Sequence, residues 1–214
     1  WIQHHQPKFA YNLHDQRSWF GLPNSNFSAT FSVLAARANP EGLTTPAVRS
    51  AQGAAGDLAH VFHDLSGLPT TTFDGTYYPG AFGENVQASG IPVVLVETGS
   101  HFSGYDRTQQ VAWLTDGLLR HWSSPQDRVA GYQSLEQAES GRFDLVLTSP
   151  DPLDPTDWAF VASERVDQGS SVLFWELAAV GSGLAKQAPF AFERGACPAV
   201  SIGDRWEDLS SLMQ

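Results

Sequence analysis

The chain has 214 residues, 42% of them hydrophobic, with 7 Trp and 13 Phe, and a formal net charge of −11. That suffices for one large domain, or a medium one with a smaller companion, and the acidic balance argues against nucleic acid and anionic membranes as partners. No apolar run reaches membrane-spanning length, and the single cysteine, Cys197, excludes an internal disulfide or a cysteine-built metal cage and fits a reducing compartment such as the cytoplasm.

Residues 8–13 (KFAYNL) predict a short strand, with Phe9, Tyr11 and Leu13 alternating against Ala10 and Asn12. It delivers His14, Asp15, Gln16 and Arg17 at its end, a cluster of charged and amide groups that suits a site better than a core. Residues 21–28 (GLPNSNFS) predict loop and residues 29–36 (ATFSVLAA) a second strand. Thr45-Pro46 opens a helix, Thr45 as N-cap and Pro46 at the first helical position. Its apolar residues fall at Val48, Ala51, Ala55, Leu58, Phe62 and Leu65, one stripe at spacings of three and four. His60 and His63 lie off that stripe and read as solvated.

Residues 67–82 predict a long loop rich in Thr, Gly and Tyr, of the kind used for binding or as a lid. The run Ile91–Val96 between Gly90 and Gly99 is almost wholly apolar and β-branched. It predicts a strand buried on both faces, with Glu97 at its carboxyl end, where ligands of open α/β sheets collect. Burial there would raise the pKa of Glu97 and suit it to general-base work; the plainer reading is a carboxylate capping the next turn. A second helix is expected from Asp106, with apolar residues at Val111, Leu114, Leu118 and Trp122, ending at Ser123-Ser124-Pro125. Strands follow at residues 143–147, 158–162 and 172–177, split by turn-rich segments. The expectation is thus an α/β unit over residues 1–129 and a small β-rich module over residues 130–214.

Three stretches together carry a resemblance: FAYNLHDQR at residues 9–17, YYPGAFGEN at 77–85 and VVLVETG at 93–99. In this order and spacing they resemble the zinc metallocarboxypeptidases, the carboxypeptidase A-like family, and most of all a bacterial branch with an N-L-H-D-Q-R motif. The resemblance covers about residues 5–125. It implies a mixed sheet with flanking helices and zinc-dependent hydrolysis of a C-terminal peptide bond. By the resemblance His14 is the later zinc ligand and Glu97 the general base. Tyr77 or Tyr78 stands near the place of a substrate-contacting tyrosine. Arg17 either binds a substrate carboxylate or fixes Asp15, and Glu84 matches an acidic position near the specificity pocket.

One departure is large. The family's other zinc ligands come from an H-x-x-E motif, and none occurs in these residues. Its substrate-binding Asn-Arg pair also precedes the strand of His14. With Trp1 in place of Met, the expectation is the C-terminal part of such a domain, its missing ligands supplied by an absent N-terminal segment or a second chain. Alternatives are an amidase or deacylase acting on cell-wall peptides or acyl-amino acids, and a non-catalytic carboxypeptidase-like binding protein.

Overall fold

The computed structural model describes residues 2–5, 7–16, 20–23, 25, 28–99, 107–167, 170–188, 190–195, 202–206, 209 and 212. They divide into two units, residues 1–16 with 29–138 and residues 17–28 with 139–214. Each has its own mixed sheet, and the chain is α/β.

In the first unit the elements are α1 (Ile2–His5), β1 (Ala10–Asp15), β2 (Phe31–Ala35), α2 (Pro46–Ser66), β3 (Thr70–Thr72), α3 (Phe82–Ala88), β4 (Val93–Thr98), α4 (Arg107–Ser123) and α5 (Val129–Gln133). The sheet order is β1-β4-β2-β3. β4 runs parallel to β1 and antiparallel to β2, and β2 runs parallel to β3. Hydrogen-bonded on both edges, β4 is the inner strand that its apolar run predicts, with Val93, Val94 and Val96 fully buried.

α2 forms where its signals stand. Thr45 Oγ1 accepts the N–H of Val48 at 3.2 Å, and Gly67 closes the helix at φ 71°, its N–H donating to the carbonyl of His63. The stripe is buried from Val48 to Phe62, with Leu65 at its end partly exposed, and the Phe62 ring stacks on Phe31 of β2 at 4.5 Å. Burying a side chain of that size stabilises by about 1.5–3 kcal/mol, and a stacked aromatic pair adds about 1 kcal/mol. The helix also carries Gly56, where a Cβ would meet the backbone of Arg128 and Tyr132, so α5 lies against α2 at backbone distance. His60 and His63 are exposed, as expected.

Four boundaries differ from the sequence reading. β1 runs on through His14 and Asp15, because both pair with β4. The stretch expected as one loop contains β3, whose three threonines are too few to show a period but pair with β2. Residues 82–88 form α3, although Ala81 offers no side-chain cap, because Val86 packs on Ile91 and Val93. On α4, Trp113, Leu114 and Leu118 pack on the core while Val111 and Trp122 are exposed. That face is set by Phe62, whose ring occupies the space a Cβ at Gly117 would take. Asp106, the expected start of this helix, lies outside the described residues.

The second unit is β-rich: β5 (Leu145–Thr148), β6 (Asp157–Asp167), β7 (Ser170–Gly181), β8 (Phe190–Glu193) and β9 (Arg205–Trp206), in the order β8-β5-β6-β7-β9. β6 and β7 form a long antiparallel pair with a register shift at Ala159/Phe160. One core gathers Leu147, Trp158, Phe160 and Leu177 with Leu209 and Leu212; a second gathers Phe143, Val146, Ala159 and Ala188. Among the described residues no helix is long and apolar enough to cross a membrane.

Candidate functional site

Successive side chains of a strand alternate between the two faces of its sheet. In the first unit one face, with Phe31, Val33, Ala35, Val94 and Val96, meets α2. The residues between them belong to the other face. There Ala10 and Val93 lie with α3, and nearer the carboxyl ends of β1 and β4 the pairing aligns one residue from each strand. His14 of β1 pairs with Glu97 of β4, Glu97 with Ser32 of β2, and Ser32 with Thr71 of β3. A polar row therefore crosses the sheet from β1 to β3.

The inner half of that row is fully hydrogen-bonded. Ser32 Oγ donates to Gln16 Oε1 at 3.0 Å and lies 2.7 Å from Thr71 Oγ1, while Gln16 Nε2 donates to the carbonyl of Ala29 at 2.7 Å. All three side chains are buried. This network fixes the spacing of β1, β2 and β3 around the end of β4.

Glu97 is different. Its residue is 6% exposed, and no hydrogen bond to its carboxylate is found among the described residues. Burial raises its pKa; the adjacent His14 works the other way, and the charge of Asp15 adds to the rise. His14 is exposed, and its Nε2 lies 3.0 Å from Asn12 Oδ1. Thr98 holds the strand end, its hydroxyl donating to the carbonyl of His14 at 3.2 Å and its own carbonyl accepting the N–H of Gln16 at 2.9 Å. The site thus offers an imidazole and a poorly solvated carboxylate side by side at strand ends.

The other expected residues are placed as follows. Glu84 is buried on α3 and accepts the N–H of Tyr78 at 3.5 Å, so it closes the Tyr77–Phe82 turn onto the helix. Gly83 lies inside that helix, where a Cβ would press on Ala36. Tyr77 is half-buried and Tyr78 is 58% exposed. Among the described residues no hydrogen bond or ion pair joins Tyr77, Tyr78 or Glu84 to the His14–Glu97 pair. Arg17 lies outside the described residues.

Two partners were not singled out in the sequence, Ser32 and Thr71; Gln16 belongs to the expected polar cluster but is buried between the strands. A signal existed for Ser32, the one hydroxyl residue in the otherwise apolar run FSVLA.

A catalytic zinc ion takes three protein ligands and an open position. Among the described residues no group of three or more His, Cys, Asp and Glu could hold a metal ion. The residues present here therefore do not by themselves fit a zinc site; His14 is a single candidate ligand. The chain matches no family model, no curated protein and no solved structure.

Proposed function

We propose that this chain carries the proton-transfer side of a peptidase site of the zinc metallocarboxypeptidase type, cleaving a C-terminal peptide bond or a related amide. Glu97 is the general base and His14 a metal ligand, and any remaining ligands come from beyond the described residues. The observation that carries the reading is the state of Glu97. Buried polar groups are normally hydrogen-bonded, because leaving one unpaired costs about 1–3 kcal/mol and more when it is charged. Glu97 has no hydrogen bond among the described residues, and its oxygens are not among the sealed, unpaired side-chain atoms, so the carboxylate is desolvated yet keeps access to a ligand or water.

Its chemistry follows from its surroundings. Desolvation makes the carboxylate a stronger base than an exposed glutamate, and the imidazole beside it keeps the ionised form within reach. Glu97 would take a proton from an attacking water and return it to the leaving amine. The position of the pair at the carboxyl ends of β1 and β4 is where open α/β sheets bind ligands. In the same reading Tyr77, Tyr78, Arg17 and Glu84 are the substrate-side residues, contacting the peptide or shaping the pocket for its last side chain.

The test is hydrolysis of a panel of short peptides and acyl-amino acids by a preparation with its full ligand set, shown to bind one zinc per chain, and by the same preparation carrying Glu97→Gln. The variant keeps shape and should lose about 10²–10⁴-fold in kcat, with bound zinc unchanged. Loss of zinc with the variant would make Glu97 a ligand instead. Equal rates, or a wild type inert towards every substrate in the panel, would overturn the proposal.

A further inference from the structure

A second polar cluster lies in the first unit, away from the strand ends, and the site above does not use it. His121 of α4 is 5% exposed, and its Nδ1–H donates to Asp57 Oδ2 of α2 at 2.6 Å. Asp57 is 2% exposed and also accepts from the N–H of Gln126 at 3.1 Å and from Arg128 Nε at 3.2 Å. With its oxygens so engaged, Asp57 fixes the ring and its tautomer. Tyr11 meets the ring edge-on at 6.1 Å, and burial followed by the charge of Asp57 pushes its hydroxyl up to about 12. The outcome is a rigid imidazole with Nε2 as a lone-pair acceptor, and that nitrogen has no hydrogen bond among the described residues.

His121 lines a cleft of about 550 Å³, within the range of small-molecule sites. Two opposite charges line it as well, Arg49 and Asp127, and neither has an ion pair or hydrogen bond among the described residues. The Asp127 carboxylate rests on Gly53, where a Cβ would collide with it. Arg49 stands four residues earlier on the same helix, about 6 Å along the axis. Phe9, Pro46 and Pro125 supply apolar wall, and Ser50 a hydroxyl.

A simple anion would meet Asp127 and a simple cation would meet Arg49. A molecule carrying both charges satisfies both. We propose that this cleft binds a small zwitterion of the amino-acid class, its carboxylate on Arg49 and Ser50, its ammonium on Asp127 and His121 Nε2, and its side chain against Phe9 and Pro125. The site shares no residue with the His14–Glu97 pair and does not depend on the function proposed for it.

The experiment is calorimetric and NMR titration of the full chain with leucine, phenylalanine, glutamate and arginine. For the best binder it is repeated with the amide, which lacks the carboxylate, and the N-acetyl derivative, which lacks the ammonium. One amino acid should bind saturably and shift the His121 ring resonances, and each derivative should bind at least about tenfold more weakly. Arg49→Gln should make the amino acid and its amide bind alike, and Asp127→Asn should do so for the acetylated form. Both side chains are exposed, and unchanged thermal melting of each variant confirms that the fold is kept. Saturable binding of none of the four, discrimination that survives both substitutions, or acetate competing as well as the amino acid would overturn the proposal.

Discussion

His14 and Glu97 are register partners in the parallel pair of β1 and β4, which puts an exposed imidazole and a buried carboxylate on one side of the sheet. The relationship belongs to the register and not to the sequence neighbourhood of either residue. A slip of one position would turn His14 to the face that meets α2. Gln16, bonded to both the Thr98 carbonyl and Ser32, pins the register from beyond the strand end.

Burying an unpartnered acid should show in stability. The folded-state pKa of Glu97 is raised, so folding favours its protonated form. Its contribution is fully present below the unfolded pKa and is lost as pH rises through the folded one. Glu97→Gln should therefore be more stable than wild type at neutral pH, with the difference shrinking towards about pH 4, where an unfolded glutamate also takes up its proton. Thermal melting across that interval checks it; a variant less stable than wild type at neutral pH would show that Glu97 has a structural partner.

Ser32 joins two buried groups that have little else to bond. Ser32→Ala removes the donor to Gln16 and the partner of Thr71 in a place closed to water. Leaving such groups unpaired costs about 1–3 kcal/mol. Urea denaturation should show a loss in that range with an unchanged m-value. A loss under half a kcal/mol would mean that water or a rearranged Gln16 replaces the hydroxyl.

Helix propensity and packing give opposite answers at Gly56. An exposed Gly→Ala change within a helix would gain about 1 kcal/mol. Here the new methyl meets the backbone of Arg128 and Tyr132, which cannot swing aside as a side chain would. Gly56→Ala should destabilise by about 1–3 kcal/mol or more. A melting temperature at or above wild type would contradict the close approach of α5.

Much of the first unit was legible because its signals are local. Thr45, Pro46 and the stripe from Val48 to Phe62 state α2 within a few turns, and the run to Val96 states an inner strand. The candidate pair was legible for a similar reason, as polar residues interrupting strand patterns. What escaped depends on partners far along the chain. Thr70–Thr72 becomes a strand only beside β2, α3 lacks a side-chain cap and forms against Val93, and the exposure of Trp122 follows from where α2 lies. Asp57 sat inside a helical pattern as one more polar residue; only folding brings it to His121, 64 positions away.

The account rests on Glu97 being a desolvated carboxylate moderated by one imidazole. Titration of the Glu97 side-chain carbon by carboxyl-detected NMR, in wild type and in His14→Ala, measures that state directly. Because His14 lowers the Glu97 pKa while burial raises it, wild type should titrate above the ordinary glutamate range and His14→Ala higher still. A Glu97 that titrates at or below that range, or that does not respond to the loss of His14, would contradict the assignment of these two residues to one site.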